Sequence, residues 1–151
     1  MTITEQKAAQ RKAGIAARRA LSDTERTHSN AALCARIMAL DCFKKAENIL
    51  LYAAFGGEAD LSALAVEAAR QGKTPAYPVC GEGFSLTAAV PGPDGWEVGA
   101  YGIRTPILSR SEILRPDQLD LVLVPCTAFD TAGWGWGKAI MTATSPAAPG
   151  L

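Results

Sequence analysis

Three features of the 151-residue chain predict an α/β domain with a mainly parallel sheet flanked by helices. AENILLYAAF (46–55) and LDLVLVPCTAF (119–129) are short, nearly all-apolar runs, which is how strands covered on both faces read. Segments of helical composition, bounded by helix start and stop signals, lie before and between them. Strand, helix and strand joined by a right-handed crossover pair in parallel.

The elements follow in order. Residues 3–20 (ITEQKAAQRKAGIAARRA) are rich in Ala, Lys, Arg and Gln, which are strong helix formers. Ser22 is the expected N-cap of a second helix, with Glu25 completing a capping box. That helix should run to about Leu40, with Leu33, Ile37 and Leu40 on one face. The 46–55 strand is broken by Gly56-Gly57. Asp60 or Ser62 then caps a helix over LSALAVEAARQ, which Gly72 ends. KTPAYPVC (73–80) is a strand weakened by its prolines. SLTAAV (85–90) is a third strand and PGPDG (91–95) a turn. The continuous apolar run at 119–129 is the strongest strand signal, and both its faces are predicted to be covered.

With 48% hydrophobic residues, one compact domain with a real core is expected over residues 1–134. A net charge of zero removes any general attraction for nucleic acid. Five basic residues nevertheless cluster between Lys7 and Arg19 without an acidic one. Cys34, Cys42, Cys80 and Cys126 show no CxxC spacing, and the sole histidine, His28, lies among polar residues. Zinc is therefore not expected, and the cysteines read as buried and reduced. No apolar signal-peptide core or membrane-length run is present, so a soluble cytoplasmic protein is the expectation.

Ligands of such sheets bind beyond the carboxyl ends of the strands, which points at Gly56-Gly57-Glu58 and at Thr127-Ala128-Phe129-Asp130. Lys7 and Arg11, four residues apart, share a helix face and could grip two oxygens of a phosphate chain; the plain alternative is a solvated face. Glu58 could accept hydrogen bonds from a ring N–H of a ligand, or be an ordinary loop glutamate. Asp130, glycines 133, 135 and 137, and Lys138 read as a phosphate-cradling loop, although they match neither the Walker nor the GxGxxG spacing.

Taken in order, KAAQRKAGIAARRALSDTER, LLYAAFGGEADL, GKTPAYPV, VGAYGIRTP and LDLVLVPCTAFDTAG closely resemble the 5-formyltetrahydrofolate cyclo-ligases, from about Lys7 to Gly133. The resemblance implies a Rossmann-like three-layer arrangement similar to the NagB/RpiA/CoA-transferase-like fold. It also implies an ATP- and Mg2+-dependent enzyme of folate one-carbon metabolism, acting as a monomer on a reduced folate without nucleic-acid or membrane partners. Such an enzyme converts 5-formyltetrahydrofolate to 5,10-methenyltetrahydrofolate and releases ADP and phosphate. The formyl oxygen attacks the γ-phosphate, and the activated carbon then closes onto the second nitrogen and expels phosphate. Carried over, Lys7 and Arg11 match the phosphate-binding pair, Glu58 the folate-binding glutamate with Ala53 near the same pocket, and Tyr101-Gly102-Ile103 a loop beside the folate. Thr105-Pro106 stands where the family usually has Glu-Pro.

The larger departure is at 135–151. There the family has an Arg-x-Gly-x-Gly-x-Gly-Tyr-Tyr-Asp-Arg type motif around the ATP phosphates and magnesium. Only Gly137 and Lys138 fall in register, and Ala139, Ile140, Met141 and Thr142 replace Gly-Tyr-Tyr-Asp. No metal ligand is carried over, since Thr142 takes the place of the Asp. Suitable codons for Trp136 to Thr144 (TGG GGA AAG GCT ATT ATG ACC GCT ACC), read one base earlier, become ATG GGG AAA GGC TAT TAT GAC CGC TAC. These encode Met-Gly-Lys-Gly-Tyr-Tyr-Asp-Arg-Tyr, the family motif. The hypothesis is a single-base loss near the codon for Gly135, which makes 135–151 an aberrant tail and the C-terminal part of the fold incomplete. DNA across codons 130–151 that lacks the motif in the neighbouring frame sinks it. The alternative to an active cyclo-ligase is then a non-catalytic folate- or nucleotide-binding remnant. A nucleic-acid-binding module is disfavoured, because no aromatic residues interleave with the basic cluster.

Overall fold

Two capping boxes start the chain. In the computed structural model, which describes residues 1–83 and 85–132 and the backbone of Gly135–Trp136, Thr2 Oγ1 accepts from the Glu5 N–H and the Glu5 carboxylate accepts from Thr2. They open α1 (Ile3–Ala20). Ser22 and Glu25 repeat the arrangement for α2 (Asp23–Ala39), as the sequence predicts. The α2 residue that reaches the core is Cys34, flanked by half-buried Ile37, while Leu33 is 37% exposed and Leu40, just past the helix, 52%.

A short helix, α3 (Asp41–Lys45), leads into β1 (Asn48–Leu50). The Lys73 ammonium donates to the carbonyls of Lys44 and Ala46 at the end of α3 and lies 5.2 Å from the Phe43 ring centroid. After β1 the chain loops to α4 (Ser62–Arg70), where Asp60 accepts from the Ser62 N–H, and Gly72 turns it at φ +80°. Then come β2 (Thr74–Cys80), β3 (Leu86–Pro91), the hairpin of β4 (Trp96–Val98) and β5 (Arg104–Pro106), β6 (Ser111–Leu114) and β7 (Leu121–Val122). A separate pair, β8 (Ala128–Phe129) and β9 (Gly135–Trp136), follows, so strand pairing runs two residues past the expected boundary at 134.

The five-stranded sheet has the order β6-β3-β2-β1-β7. β1 pairs in parallel with β2 and β7, and β3 runs antiparallel to both β2 and β6. Four of the five strands therefore point one way, which agrees with a mainly parallel sheet. The prolines of β2 are accommodated by register. Thr74 N–H and Ala76 C=O face β1, so Pro78 faces the same side, past the last β1 pair at Leu50–Ala76. Pro75 faces the β3 side, before the Tyr77–Ala89 pair. At neither proline is a ladder donor required.

The main core packs α2, α3 and α4 on one face of the sheet. Phe43, Ile49, Leu51 and Leu64 are essentially inaccessible, with Cys34, Leu61 and Ala68 around them. A smaller cluster of Leu50, Ala76 and Leu114 lies on the other face. Two expectations need correction. The 119–129 run is not one strand: it gives the two residues of β7, at an edge of the sheet among the described residues, and the two of β8 in a separate pair, and Val124 between them is 52% exposed. Only Cys34 of the four cysteines is buried; Cys42, Cys80 and Cys126 are exposed.

Candidate functional site

The segment after β1 forms one wall of the site. Gly56 and Gly57 both adopt positive φ, +60° and +79°, where side chains are strained. That turn lets Glu58 N–H donate to the Phe55 carbonyl at 3.1 Å, while Phe55 N–H donates to Glu58 Oε2 at 3.1 Å. The carboxylate is thus held by its own turn, and its second oxygen has no hydrogen bond among the described residues. Arg26 on α2 donates from Nη1 to the Gly57 carbonyl at 3.2 Å and from Nη2 to the Arg18 carbonyl at 3.1 Å. One guanidinium thereby ties the Glu58 turn to the end of α1.

Glu58 borders an open cleft of about 270 Å³. Leu33 and Ile37 of α2 line it, with Ala59 and Leu61 from the same loop and Leu123 to Cys126 and Phe129 from the chain after β7. The lining is overwhelmingly apolar with one carboxylate, a composition that suits a largely apolar ligand with a few hydrogen-bonding groups. Tyr52 also lines it and donates to the Ala59 carbonyl at 2.9 Å. Burial, reinforced by the Glu58 charge, pushes its hydroxyl up to about 12, so it remains a donor at neutral pH.

Helix α1 lies against the loop after β7, outside the lining of that cleft. It buries no residue completely, but Lys7, Arg11, Gly14, Ile15 and Arg18 are half-covered. Except for Ile15, these fall at intervals of four, three and four, a single helical stripe. Gly14 lets the helix sit on the β7–β8 loop: a Cβ there would lie 2.6 Å from the Thr127 carbonyl oxygen. Arg11 Nε and Arg18 Nε are buried without a hydrogen-bond partner among the described residues, whose ion pairs are Arg70–Glu67 and Arg115–Asp117. A shallow depression of about 380 Å³ runs along α1 beside Arg11, Lys12 and Arg19.

The structure thus brings the Lys7–Arg11 face and Glu58 to the same end of the sheet, around the loop from Pro125 to Asp130. Asp130 Oδ1 accepts from Ala132 N–H at 2.9 Å and shapes that loop. Ala53 is half-buried just past β1 and does not line the cleft. Tyr101 does not line it either: it stands 86% exposed with φ +60° on the β4–β5 hairpin, whose Trp96 packs edge-on to Tyr77 and under Arg104. Gly137, Lys138 and Thr142 lie outside the described residues. Arg18, Arg26 and Tyr52 were missed as site residues. Only the stripe through 7, 11, 14 and 18 could have pointed to Arg18.

The fold is that of an α/β protein with a cationic first helix and an apolar cleft carrying one carboxylate, the cleft lying beyond the ends of parallel strands where such sheets keep their ligand sites. Residues 3–139 match the 5-formyltetrahydrofolate cyclo-ligase family, and the chain belongs to that family. The NMR structure of 5,10-methenyltetrahydrofolate synthetase from Aquifex aeolicus is similar, with a TM-score of 0.75 and 32% identity over 87% of this chain and 66% of that one. A 5,10-methenyltetrahydrofolate synthetase from Mycoplasma pneumoniae shares the fold, with a TM-score of 0.68 and 19% identity over 87% and 71% of the two chains. This chain therefore spans about two thirds of the length of the Aquifex protein. No curated protein sequence matches it.

Proposed function

We propose that the chain is built for the ATP-dependent closure of 5-formyltetrahydrofolate to 5,10-methenyltetrahydrofolate, with ADP and phosphate released through a phosphorylated formyl group. The observation that carries this reading is Arg11 Nε, buried without a hydrogen-bond partner among the described residues, on a helix seated against the loop that also borders the Glu58 cleft. A buried guanidinium N–H without a partner is costly unless a ligand oxygen completes it. Lys7 and Arg11 would hold the nucleotide phosphates, Arg as a fork and Lys as a point charge. Glu58 would orient the folate ring by accepting from its N–H groups, and the apolar lining would keep water from the activated carbon. When bound, ATP supplies the phosphoryl group that turns the formyl oxygen into a leaving group.

Among the described residues no three His, Cys, Asp or Glu side chains cluster, so no residue is assigned to magnesium. No helix among them is long and apolar enough to cross a membrane. We propose a monomeric, cytoplasmic protein with one domain over residues 1–134 and no nucleic-acid partner.

A second reading is binding without turnover, favoured by Ala139, Ile140, Met141 and Thr142 in place of the family's Gly-Tyr-Tyr-Asp. The purified chain, and a version with the neighbouring frame restored, would each receive 5-formyltetrahydrofolate, Mg2+ and ATP while methenyltetrahydrofolate absorbance is followed. Turnover by the given chain supports the first reading. Turnover by the restored version alone, with folate bound by both, supports the second. If neither folded version turns over or binds folate, both readings fail.

A further inference from the structure

Arg18 carries the feature that ties Arg11 to phosphate, yet the reaction above gives it no task. Its Nε is buried and unpaired among the described residues, and it joins no ion pair there. Burial of that atom also denies it water, so the N–H is left unsatisfied among the described residues. Its position is set from both sides. The Arg18 carbonyl accepts from Arg26 Nη2, and the side chain lies along the glycine turn, with Cγ and Nε each 3.7 Å from where a Gly57 Cβ would stand. Arg26 donates to the Arg18 and Gly57 carbonyls and so braces the turn, and the Arg18 side chain lies beside that turn.

Arg18 follows Arg11 by seven residues on the same stripe, which is two turns, or roughly 10 Å along the helix axis. A linear polyphosphate spans that separation more readily than a single phosphate does. Its far end would then lie next to the residue that precedes Glu58, at the mouth of the apolar cleft.

We infer that Arg18 is a third cationic contact of the nucleotide site and takes an oxyanion of a polyphosphate chain whose other end rests on Lys7 and Arg11. This rests on the phosphate reading of those two residues. The same guanidinium could serve a carboxylate of the reduced folate, so the test must separate the two sources.

Calorimetric titrations of inorganic tripolyphosphate, orthophosphate and 5-formyltetrahydrofolate would be run on the full chain and on Arg11→Met, Arg18→Met and Arg18→Lys. Arg18 is pinned through its backbone carbonyl, so its side chain can be replaced without losing that bond. Far-UV helicity and melting temperature check this, and Arg18→Gln is the second variant if Arg18→Met does not fold. Arg11→Met and Arg18→Met are each expected to weaken tripolyphosphate by about tenfold or more, as loss of a charged hydrogen bond does. Arg18→Lys should recover part of that loss. Arg18→Met should affect orthophosphate much less and 5-formyltetrahydrofolate not at all. Weakening by Arg11→Met alone would overturn the role of Arg18 and leave the phosphate reading intact. Weakening by neither would overturn both. An Arg18→Met effect confined to 5-formyltetrahydrofolate would assign the anion to the folate instead.

Discussion

Replacing Gly14 by Ala sets two effects of similar size against each other. Gly14 lies inside an eighteen-residue helix, where Ala is preferred by about 1 kcal/mol. On propensity alone, the variant would gain stability. The tertiary contact opposes this. The new Cβ would sit 2.6 Å from the Thr127 carbonyl oxygen and 3.1 Å from Thr127 Cγ2. The closest atom is backbone, so the helix or the loop must move by more than half an ångström, and overpacking of that kind costs about 1–3 kcal/mol. The expected net result is a loss of about 1 kcal/mol, a drop in melting temperature of roughly 2–4 °C for a chain of this size. Tripolyphosphate affinity should fall as well, because the Lys7–Arg11 face lifts away from the Thr127–Asp130 loop. Thermal unfolding and calorimetry on the same samples measure both. A rise of 2–4 °C with unchanged affinity would refute the idea that α1 is seated through Gly14.

Other expectations follow from the same geometry. Leu64→Ala removes a fully buried side chain from the main core and should cost about 2–5 kcal/mol, read from urea midpoints at constant slope; a loss below 1 kcal/mol would mean the α4 contact with the sheet is not as described. Glu58→Gln keeps the shape of the turn but removes a charged acceptor, so 5-formyltetrahydrofolate should bind about tenfold or more weakly, with tripolyphosphate unaffected; equal binding of the folate would remove Glu58 from the site. Asp120 accepts from Asn48 and Glu47 N–H, which holds its carboxyl below the ordinary carboxylate value. A group lowered in the folded state stabilises above its unfolded pKa and loses that contribution as pH falls through the folded value. Stability of the parent chain should therefore decline below about pH 4 more steeply than that of Asp120→Asn. Superimposable pH profiles would show that the pair of bonds contributes nothing.

The residues that announce themselves locally were legible in the chain. Capping at Ser22–Glu25 needs only three residues in sequence, and Gly72 stops α4 through its own backbone freedom, so both appear where the sequence places them. Lys7 and Arg11 share a face because helical periodicity alone demands it. Apolar content located the strands but not their extents. The run at 119–129 reads as one strand covered on both faces, yet among the described residues only Leu121 and Val122 join the main sheet, at its edge, and Ala128 and Phe129 pair separately with β9, since strand length depends on where β1 ends and not on hydropathy. β2 keeps both its prolines because register, which no single segment contains, puts their missing donors where no acceptor waits.

The site divides the same way. Membership of the cyclo-ligase family, the glycine turn before Glu58 and the cationic first helix follow from the residues themselves. Tertiary structure decided where the cations sit. Arg26 became a brace, and the Nε groups of Arg11 and Arg18 became buried donors without partners among the described residues, because α1 closes on the Thr127 loop through a glycine that has no side chain to hold it off. Burial and pairing are properties of neighbours brought together from residues 14, 18, 26, 57 and 127, and no local stretch of sequence encodes them.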